Sequence, residues 1–597
     1  MPARDRTAGA AWITRAAAPI VTADAPGDGE LVGLRFAVKD NIAVAGLPTT
    51  AACPRFARTP TAHAEVVRRL LAAGAACVGK TNLDQFACGL NGTRSPYGAV
   101  PNSFDPRYVS GGSSSGSAYA VATGQVDFAL GTDTAGSGRV PAGLNNIVGV
   151  KPSRGLISAS GVVPAAQSVD CVSIFAPTIA LGARVLRAAI GHDPDDPFSR
   201  TLPLAPATWP ARFRFGVPDA PEFFGDRQAQ AGFAAAVARL AALGGTPVTI
   251  DYQPLADAAG LLYDSALVAE RYAAIREFFD ADPTALVEPV RSVIARGRDY
   301  RAADFVDAQV RLRALGQRAA AIWSAIDVLV VPTAPTHYTI DAMRESPVEL
   351  NRRLGFYTNF VNLLDYAALS VPSDIRADGL PFGITMIAGS GSDFALLALG
   401  SRYHHATGLT RGATGEPLGP AVPLVAPPPS SRAATALSGA VVTDDGVAVD
   451  AAAAGVAATG ACAGDAAPST VRVAVVGAHL SGMPLNGQLL GRGARLVATT
   501  RTAPLYRLYA LAGTVPPKPG LVRVAPGDGA AIEIEVWQLD ASRYGSFVAA
   551  IPPPLGIGTL LLEDGSSVQG FVCEGHGLAG ATDITGYGGW RRYLAPR

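Results

Sequence analysis

The chain has 597 residues and carries 49 Lys and Arg residues against 49 Asp and Glu residues, so its formal net charge is zero. This balance gives no indication of a polyanionic partner such as nucleic acid. Hydrophobic residues make up 49% and charged residues 16% of the sequence, which excludes a disordered chain. The length exceeds that of one ordinary domain and favours roughly three to four domains, although two remain open because large α/β enzymes often exceed the usual domain size.

The N-terminal sequence MPARDR lacks the apolar segment of a secretory signal, and no run of about 18 apolar residues predicts a membrane span. The cysteines have no C-x-x-C spacing, so small buried thiols in a reduced, cytoplasmic protein are expected. These six cysteines are Cys53, Cys77, Cys88, Cys171, Cys462 and Cys573. No metal site is indicated.

Short apolar runs alternate with amphipathic segments through the first part of the chain. Strands are predicted at Leu34–Val38, Ala75–Gly79 and Ile326–Val331, and helices at Ala64–Ala73, Gln228–Leu243 and Tyr263–Asp280. This β-α-β rhythm predicts an α/β domain with a mixed or parallel sheet covered by helices on both faces.

The composition changes near residue 420, where a Pro-rich and then Ala/Gly-rich stretch begins. We interpret residues 421–469 as a linker with a short hairpin near Ala440–Val449. Alternating apolar runs follow at Val471–Gly477 and Ile532–Trp537, with another apolar run at Gly558–Glu563. The predicted organisation is therefore a first domain over residues 1–420, the linker, and a smaller α+β or barrel-like domain over residues 470–597.

Two glycine-rich segments carry the densest chemical signal. Ser110–Ala118 reads SGGSSSGSA and Gly131–Arg139 reads GTDTAGSGR, with a predicted helical segment between Ser113 and Ser137. Glycine allows the close backbone approach that an oxyanion-binding loop needs, although a plain Gly/Ser loop has the same composition. A nucleotide P-loop is disfavoured because no G-x-x-x-x-G-K-[S/T] occurs, and Ser137 does not fit a G-x-S-x-G elbow.

These motifs, in this order, resemble the amidase signature family over roughly residues 30–410. The matching segments are VKDN at Val38–Asn41, GGSSSGSA within Ser110–Ala118, DTAGS at Asp133–Ser137 and PAG at Pro141–Gly143. The resemblance implies the amidase signature fold, in which helices cover a mixed central sheet. It also implies hydrolysis of an amide C–N bond.

The resemblance implies a Ser-Ser-Lys triad, with Ser137 as nucleophile, Ser113 as bridging serine and Lys39 as base. A serine needs an adjacent base, and a lysine acts as one only when burial keeps it neutral. The backbone amides of Thr134, Ala135 and Gly136 would form the oxyanion hole. Asp133 and Arg139 flank the nucleophile, and we expect a structural ion pair rather than a direct catalytic role.

Further stretches resemble one branch of the family, the allophanate hydrolases. They are Gly92–Gly98, Asn102–Pro106, Asp133–Asn146 and Tyr357–Asn362. Allophanate is a small anion whose carboxylate suits an arginine. The resemblance points to Arg271, with Tyr263 eight positions earlier on the same predicted helix, as the substrate-binding pair. The alternatives are an ordinary helix with Glu270 and Arg271 facing solvent, or Arg353 as the substrate cation.

Val475–Asn486 reads VVGAHLSGMPLN and resembles the C-terminal domain of allophanate hydrolases, which is similar to gamma-glutamyl cyclotransferase-like folds. That resemblance implies that the domain promotes decarboxylation of N-carboxycarbamate. His479 follows a predicted strand and is the candidate catalytic histidine. For His576, close to Glu574, a structural role at the sheet rim is expected.

Together these resemblances imply a homodimeric allophanate hydrolase without metal or organic cofactor, acting downstream of a biotin-dependent urea carboxylase. No nucleic-acid-binding or membrane-binding surface is indicated. Two alternatives stay open: an amidase for an aryl, malonyl or cyanuric-derived amide, and an inactive amidase-fold scaffold. The presence of Lys39, Ser113 and Ser137 argues against the scaffold.

Overall fold

The computed structural model describes residues 9–22, 29–426, 470–548 and 550–595. The chain divides into two compact units, Met1–Val442 and Thr443–Arg597. Within the described residues, no helix is both long enough and apolar enough to cross a membrane. Residues 421–426 contain no helix or strand, whereas the rest of the predicted linker, including the hairpin near Ala440–Val449, lies outside the described residues.

Eleven strands form one large sheet in the first unit. In chain order they are β1 (Trp12–Ile20), β2 (Arg35–Lys39), β3 (Ala76–Thr81), β4 (Phe128–Asp133), β5 (Val148–Lys151), β6 (Cys171–Ala176), β7 (Phe213–Pro218), β8 (Gly245–Ile250), β9 (Val328–Pro332), β10 (Tyr366–Ile375) and β11 (Pro381–Gly389). Across the sheet the order is β1-β3-β2-β4-β6-β5-β10-β11-β9-β7-β8. Strand β2 runs parallel to β3 and β4, whereas β10 and β11 are antiparallel. The sheet is therefore mixed.

Helices cover both faces of this sheet. They are α1 (Glu65–Ala72), α2 (Ser115–Ala122), α3 (Val140–Leu144), α4 (Ile179–Ala189), α5 (Arg227–Ala242), α6 (Gln253–Asp264), α7 (Ala269–Ala281), α8 (Val290–Ala295), α9 (Ala302–Ala320), α10 (Ile340–Glu345), α11 (Glu349–Leu354), α12 (Asn359–Leu363) and α13 (Asp393–Thr407). The sheet has an apolar core on each face, as strand β9 illustrates. Its alternate residues Val328 and Val330 pack into one apolar cluster, and Leu329 and Val331 pack into another. A two-residue ribbon, β12 (Thr410–Arg411) with β13 (Glu416–Pro417), follows α13.

Two predicted elements are wrong. The segment between Ser113 and Ser137 is not all helix: α2 ends at Ala122, and β4 follows it. Gly124, in the connecting turn, has a φ of +70°, which stops the helix. The predicted helix Tyr263–Asp280 is two helices, α6 and α7, because Ser265 is extended between them and its hydroxyl bonds Leu261 O and Leu267 N.

The second unit is a smaller α+β domain. Its strands are β14 (Thr470–Val475), β15 (Arg495–Arg501), β16 (Tyr506–Ala510), β17 (Pro519–Arg523), β18 (Glu533–Asp540), β19 (Leu555–Leu561), β20 (Ser567–Cys573) and β21 (Thr582–Asp583), and its helices are α14 (Gly487–Leu490), α15 (Ala541–Val548) and α16 (Trp590–Leu594). One sheet has the order β15-β18-β14-β20-β19 and the other β17-β16-β21. Their shared apolar core includes Trp537, Phe571 and Trp590.

The thiols of the described residues agree with the sequence prediction. Five cysteines are buried and free, and Cys462 lies outside the described residues. The five are Cys53, Cys77, Cys88, Cys171 and Cys573. Burial raises the pKa of the Cys77 thiol to about 11, so this thiol is held protonated at neutral pH. These cysteines therefore act as small apolar core residues.

Candidate active site

Lys39 ends β2 and lies wholly buried beneath the glycine-rich loops. Its Nζ donates to Ser113 Oγ at 2.8 Å and to Thr132 Oγ1 at 2.7 Å. The second contact follows from the sheet, because β2 pairs in parallel with β4 and aligns Val38 with Leu130. The structure therefore brings two of the three predicted triad residues, Lys39 and Ser113, into direct contact.

The environment of Lys39 favours the neutral amine. Burial lowers the pKa of Lys39 to about 7, because a charged ammonium group is poorly solvated there. The nearby carboxylates of Asp84, Asp170 and Asp133 oppose this effect, whereas the positive charge of Arg271 reinforces it. A lysine with this pKa is substantially deprotonated near pH 7 and can accept a proton.

Ser137 lies between β4 and α3, in the second glycine-rich segment. The side chain is buried, and its hydroxyl lies 3.5 Å from the carbonyl oxygen of Gly89. Within the described residues, no direct hydrogen bond joins Ser113 to Ser137. The step from Ser113 to Ser137 therefore belongs to the proposed mechanism rather than to the observed contacts.

The segment around Ser137 is held by the predicted ion pair, which the structure confirms. Arg139 Nε lies 2.9 Å from Asp133 Oδ2, and both side chains are fully buried. Burial favours protonation of Asp133, but Arg139 and backbone amides outweigh it and hold the pKa below the ordinary value. Asp133 also accepts from the amides of Gly136 and Gly138, at 2.8 Å and 2.9 Å. The carboxylate thus shapes the loop around Ser137.

The amides predicted to form the oxyanion hole differ in their availability. The amide of Gly136 already donates to Asp133. Within the described residues, the amides of the predicted Thr134 and Ala135 donate to no acceptor, and neither does that of Ser137, which was not predicted. Gly136 has a φ of +140°, and a Cβ there would collide with the Thr358 side chain, so this loop conformation requires glycine.

Arg271 and Tyr263 meet although they lie on different helices. Arg271 Nη2 donates to the Tyr263 hydroxyl at 3.1 Å, and the guanidinium carbon lies 5.1 Å from the centre of the tyrosine ring. Arg271 is only 3% exposed, and its Nε and Nη1 have no hydrogen-bond partner in the described structure. A buried guanidinium with unpaired donors on Nε and Nη1 suits an anion such as a carboxylate.

The alternatives to this pair receive less support. Glu270 does not face solvent with Arg271 but accepts from the amide and hydroxyl of Ser168, at 3.0 Å and 2.6 Å. Arg353 has a partly exposed side chain and pairs with Glu349 at 2.9 Å. It also lies over the ring of Phe224. Arg353 is therefore engaged at the surface.

Three residues near Lys39 were not identified as site residues from the sequence. Thr132 stands within the GTD of the second glycine-rich segment, and Asp84 follows Thr81 and Asn82 at the end of β3. Asp84 accepts from the amides of Asn91, Gly92 and Arg94, and its own amide donates to Ser113 O. Asp170 accepts from the Thr134 hydroxyl at 2.5 Å, and burial raises its pKa. These residues are distant from Lys39 in the sequence, and only the three-dimensional structure shows that they lie near it.

His479 follows β14 in the second unit and lines a cavity of about 180 Å³. Its ring stacks on Phe571 at 5.0 Å, and the side-chain oxygen of Gln488 accepts from Nε2 at 3.0 Å. Burial lowers the pKa of His479, and the nearby cations Lys518 and Arg492 add to the effect. His576, in contrast, is largely exposed and pairs with Glu574 rather than with backbone. Within the described ranges, no cluster of three or more His, Cys, Asp or Glu side chains could hold a metal ion.

Two protein-family models match the chain. One, described as Amidase, matches residues 9–397, and the other, described as Allophanate hydrolase C-terminal domain, matches residues 471–595. Urea amidolyase of Saccharomyces cerevisiae is 43% identical over 572 residues, covering 94% of this chain. A glutamyl-tRNA(Gln) amidotransferase chain from Thermosynechococcus vestitus is 32% identical, and the match covers 64% of this chain and 85% of that one.

Solved structures give the same relationship. Allophanate hydrolase of Kluyveromyces lactis is 41% identical with a TM-score of 0.64, and the match covers 94% of this chain and 88% of that one. Urea amidolyase of the same yeast is 40% identical with a TM-score of 0.65. The chain spans about 30% of the length of the Saccharomyces urea amidolyase and 32% of the Kluyveromyces one.

Proposed function

Since this chain belongs to the amidase family and carries an allophanate hydrolase C-terminal domain, we propose that it hydrolyses allophanate, or urea-1-carboxylate, to ammonia and N-carboxycarbamate. The observation that carries the proposal is the buried Lys39–Ser113 contact near the guanidinium of Arg271, whose Nε and Nη1 have no partner in the described structure. The first supplies a base for a serine nucleophile, and the second suits the carboxylate of an anionic urea derivative.

In the proposed first step, Ser137 attacks the amide carbonyl while its proton passes through Ser113 to the neutral amine of Lys39. The free amides of Thr134 and Ala135, as predicted, bind the developing oxyanion, and the amide of Ser137 takes the place predicted for Gly136, whose amide donates to Asp133. Lys39 then returns the proton, again through Ser113, to the leaving ammonia. Water attacks the acyl-enzyme by the same relay and releases N-carboxycarbamate.

Arg271 and Tyr263 fix the substrate in this scheme. The carboxylate would accept from the second hydrogen of Arg271 Nη2 and from one unpaired neighbour, Nε or Nη1, while the Tyr263 hydroxyl would hold the guanidinium in place. Substrate binding then also removes an unsatisfied buried cation, which favours an anion over a neutral amide of the same size. This selection distinguishes allophanate from acetamide or malonamide.

The second unit would complete the reaction by promoting decarboxylation of N-carboxycarbamate, with His479 supplying the proton. Ammonia and carbon dioxide are then the overall products. Two relatives named urea amidolyase are longer than this chain, which supports a functional link to a urea carboxylase that makes allophanate. We further propose a cytoplasmic homodimer; the five buried free thiols support a reducing compartment, and light scattering tests the dimer.

The decisive experiment measures ammonia and carbon dioxide released from allophanate, with malonamide and acetamide as comparison substrates. Ser137→Ala should abolish ammonia release, whereas His479→Ala should leave the first ammonia unchanged and slow carbon dioxide release. Activity on malonamide or acetamide but not on allophanate would indicate a different amidase. A folded chain that hydrolyses no amide would support the inactive scaffold instead.

A further inference from the structure

The cavity in the second unit has an unusual lining. Its walls are mostly apolar, from Val476, Leu485, Pro519, Leu555 and Phe571 among others. Within the described part of the chain, Lys518 and His479 are its only ionisable lining residues, and no Asp or Glu lines it. A volume of about 180 Å³ is well above that needed for a single water, so the cavity can hold a small organic ligand.

Lysine is rare in this chain, and each lysine is either buried or lines the cavity. The sequence contains four lysines and 45 arginines, so arginine supplies almost every cation. Three lysines are fully buried in the first unit: Lys39, Lys80 beside Asp40 at 3.2 Å, and Lys151, which donates to Pro152 O. The fourth is Lys518, which is partly buried and lines the cavity.

The position of Lys518 is set by the backbone around it. Its amide donates to Thr514 Oγ1 at 2.9 Å, and β17 begins at the next residue, Pro519. A proline on each side, Pro517 and Pro519, restricts the backbone there. The ammonium group is therefore carried by a restrained segment that borders the cavity, on a different element from the loop that carries His479.

We propose that this cavity binds a small carboxylate anion, with Lys518 as the residue that holds the carboxylate and His479 as the group beside the reacting atoms. A positive lysine in a site without acidic residues attracts an anion, and the apolar walls strengthen that attraction by excluding water. Bound negative charge also offsets the cations that disfavour protonation of His479. This inference rests on the function proposed above for the second unit, and it names the residue that binds the intermediate.

The reaction at this site balances without a further reactant. N-carboxycarbamate carries two carboxylates on one nitrogen. When one C–N bond breaks, that carboxylate leaves as carbon dioxide and the bonding electron pair stays on nitrogen. The nitrogen takes one proton from the His479 imidazolium and becomes carbamate, and solvent reprotonates the histidine. Lys518 would bind the carboxylate that is retained, which keeps the leaving carboxylate in the apolar part of the cavity.

The test titrates malonate, a stable dicarboxylate of the same size, into the full chain labelled with ¹³C at histidine Cε1. The His479 signal is assigned by its loss in His479→Gln. Malonate should shift this signal, and Lys518→Met should raise the Kd at least tenfold, with partial recovery in Lys518→Arg. Arg523→Met is the matched control, since it removes an exposed cation at the other end of β17, and it should keep the wild-type Kd.

The same variants are then assayed with allophanate. Lys518→Met should release the first ammonia at the wild-type rate and delay carbon dioxide. If His479→Ala delays carbon dioxide but Lys518→Met neither delays it nor weakens malonate binding, the inference is overturned while the proposed function stands. If allophanate is not hydrolysed at all, the proposed function fails, and the malonate titration still decides whether Lys518 makes this an anion site.

Discussion

Thr132 Oγ1 accepts a hydrogen bond from Lys39 Nζ at 2.7 Å, slightly shorter than the 2.8 Å contact between the same nitrogen and Ser113 Oγ. The amine is thus held between two hydroxyl groups on different elements. Ser113 precedes α2, and Thr132 lies in β4, the sheet neighbour of the strand that carries Lys39. Thr132 is therefore a positioning residue for Lys39, the proposed base.

Thr132→Val should lower kcat for allophanate about tenfold, because one hydrogen bond to a chargeable group contributes about 1.5 kcal/mol. Since a lost acceptor disfavours the ammonium form, the acidic limb of the pH–rate profile should also move to lower pH. Thr132→Ser keeps the hydroxyl and should restore both values. A Thr132→Val enzyme with reduced kcat but an unmoved acidic limb would show that Thr132 only supports the fold.

The proposed role of Lys39 as base predicts a pH dependence of the activity. The pKa of Lys39 is lowered to about 7, and only its neutral form accepts a proton. The kcat/KM for allophanate should therefore be constant well above pH 7 and fall tenfold per pH unit well below it, because kcat/KM reports the free enzyme. Lys39→Arg, which stays charged at every accessible pH, should remove activity across the range. A profile without an acidic limb between about pH 6 and 8 would rule out Lys39 as the base.

Much of the first unit could be predicted from local sequence. Apolar runs placed β2, β3 and β9 within a few residues, and the motifs named Lys39, Ser113 and Ser137. The contacts that complete the site join distant parts of the chain. Asp84 reaches the Ser113 carbonyl, and Asp170 binds Thr134, 36 residues away. Such partners follow from strand order, which periodicity does not reveal.

Tyr263 and Arg271 meet in the structure, although the single helix that was predicted to carry both is wrong. A continuous helix would place positions eight apart on one face. The chain instead breaks at Ser265, and the hydroxyl of Tyr263 reaches Arg271 Nη2 across the junction of two helices. A serine hydroxyl can hydrogen-bond nearby backbone groups and so interrupt a helix, and apolar periodicity does not detect this effect.

Arg271→Met should lower kcat/KM for allophanate about 100-fold or more, because charge-assisted hydrogen bonds contribute about 1.5–3 kcal/mol each. Biuret has a neutral amide in place of the carboxylate, so its hydrolysis should fall much less. Arg353→Met is the matched control, since Arg353 pairs with Glu349 at the surface and should leave both substrates unaffected. Equal losses with allophanate and biuret would mean that Arg271 does not recognise the carboxylate.

The ion pair of Asp133 and Arg139 predicts separate effects on stability and activity. Arg139→Met leaves the buried Asp133 carboxylate without its cation and should lower the stability by about 3–5 kcal/mol, seen as a lower urea midpoint for the first unit. Glu288→Ala, which breaks the exposed pair with Arg291, should cost less than about 1 kcal/mol.

The double variant Asp133→Leu/Arg139→Met separates the two effects. Replacing both charges with apolar side chains removes the unpaired ion and should recover much of the lost stability. Activity should not return, because the amides of Gly136 and Gly138 lose the carboxylate that shapes the loop around Ser137. Ammonia release and the urea midpoint are measured on the same preparations. If the double variant regains activity together with stability, the ion pair serves only the fold, and the Ser137 loop keeps its geometry without it.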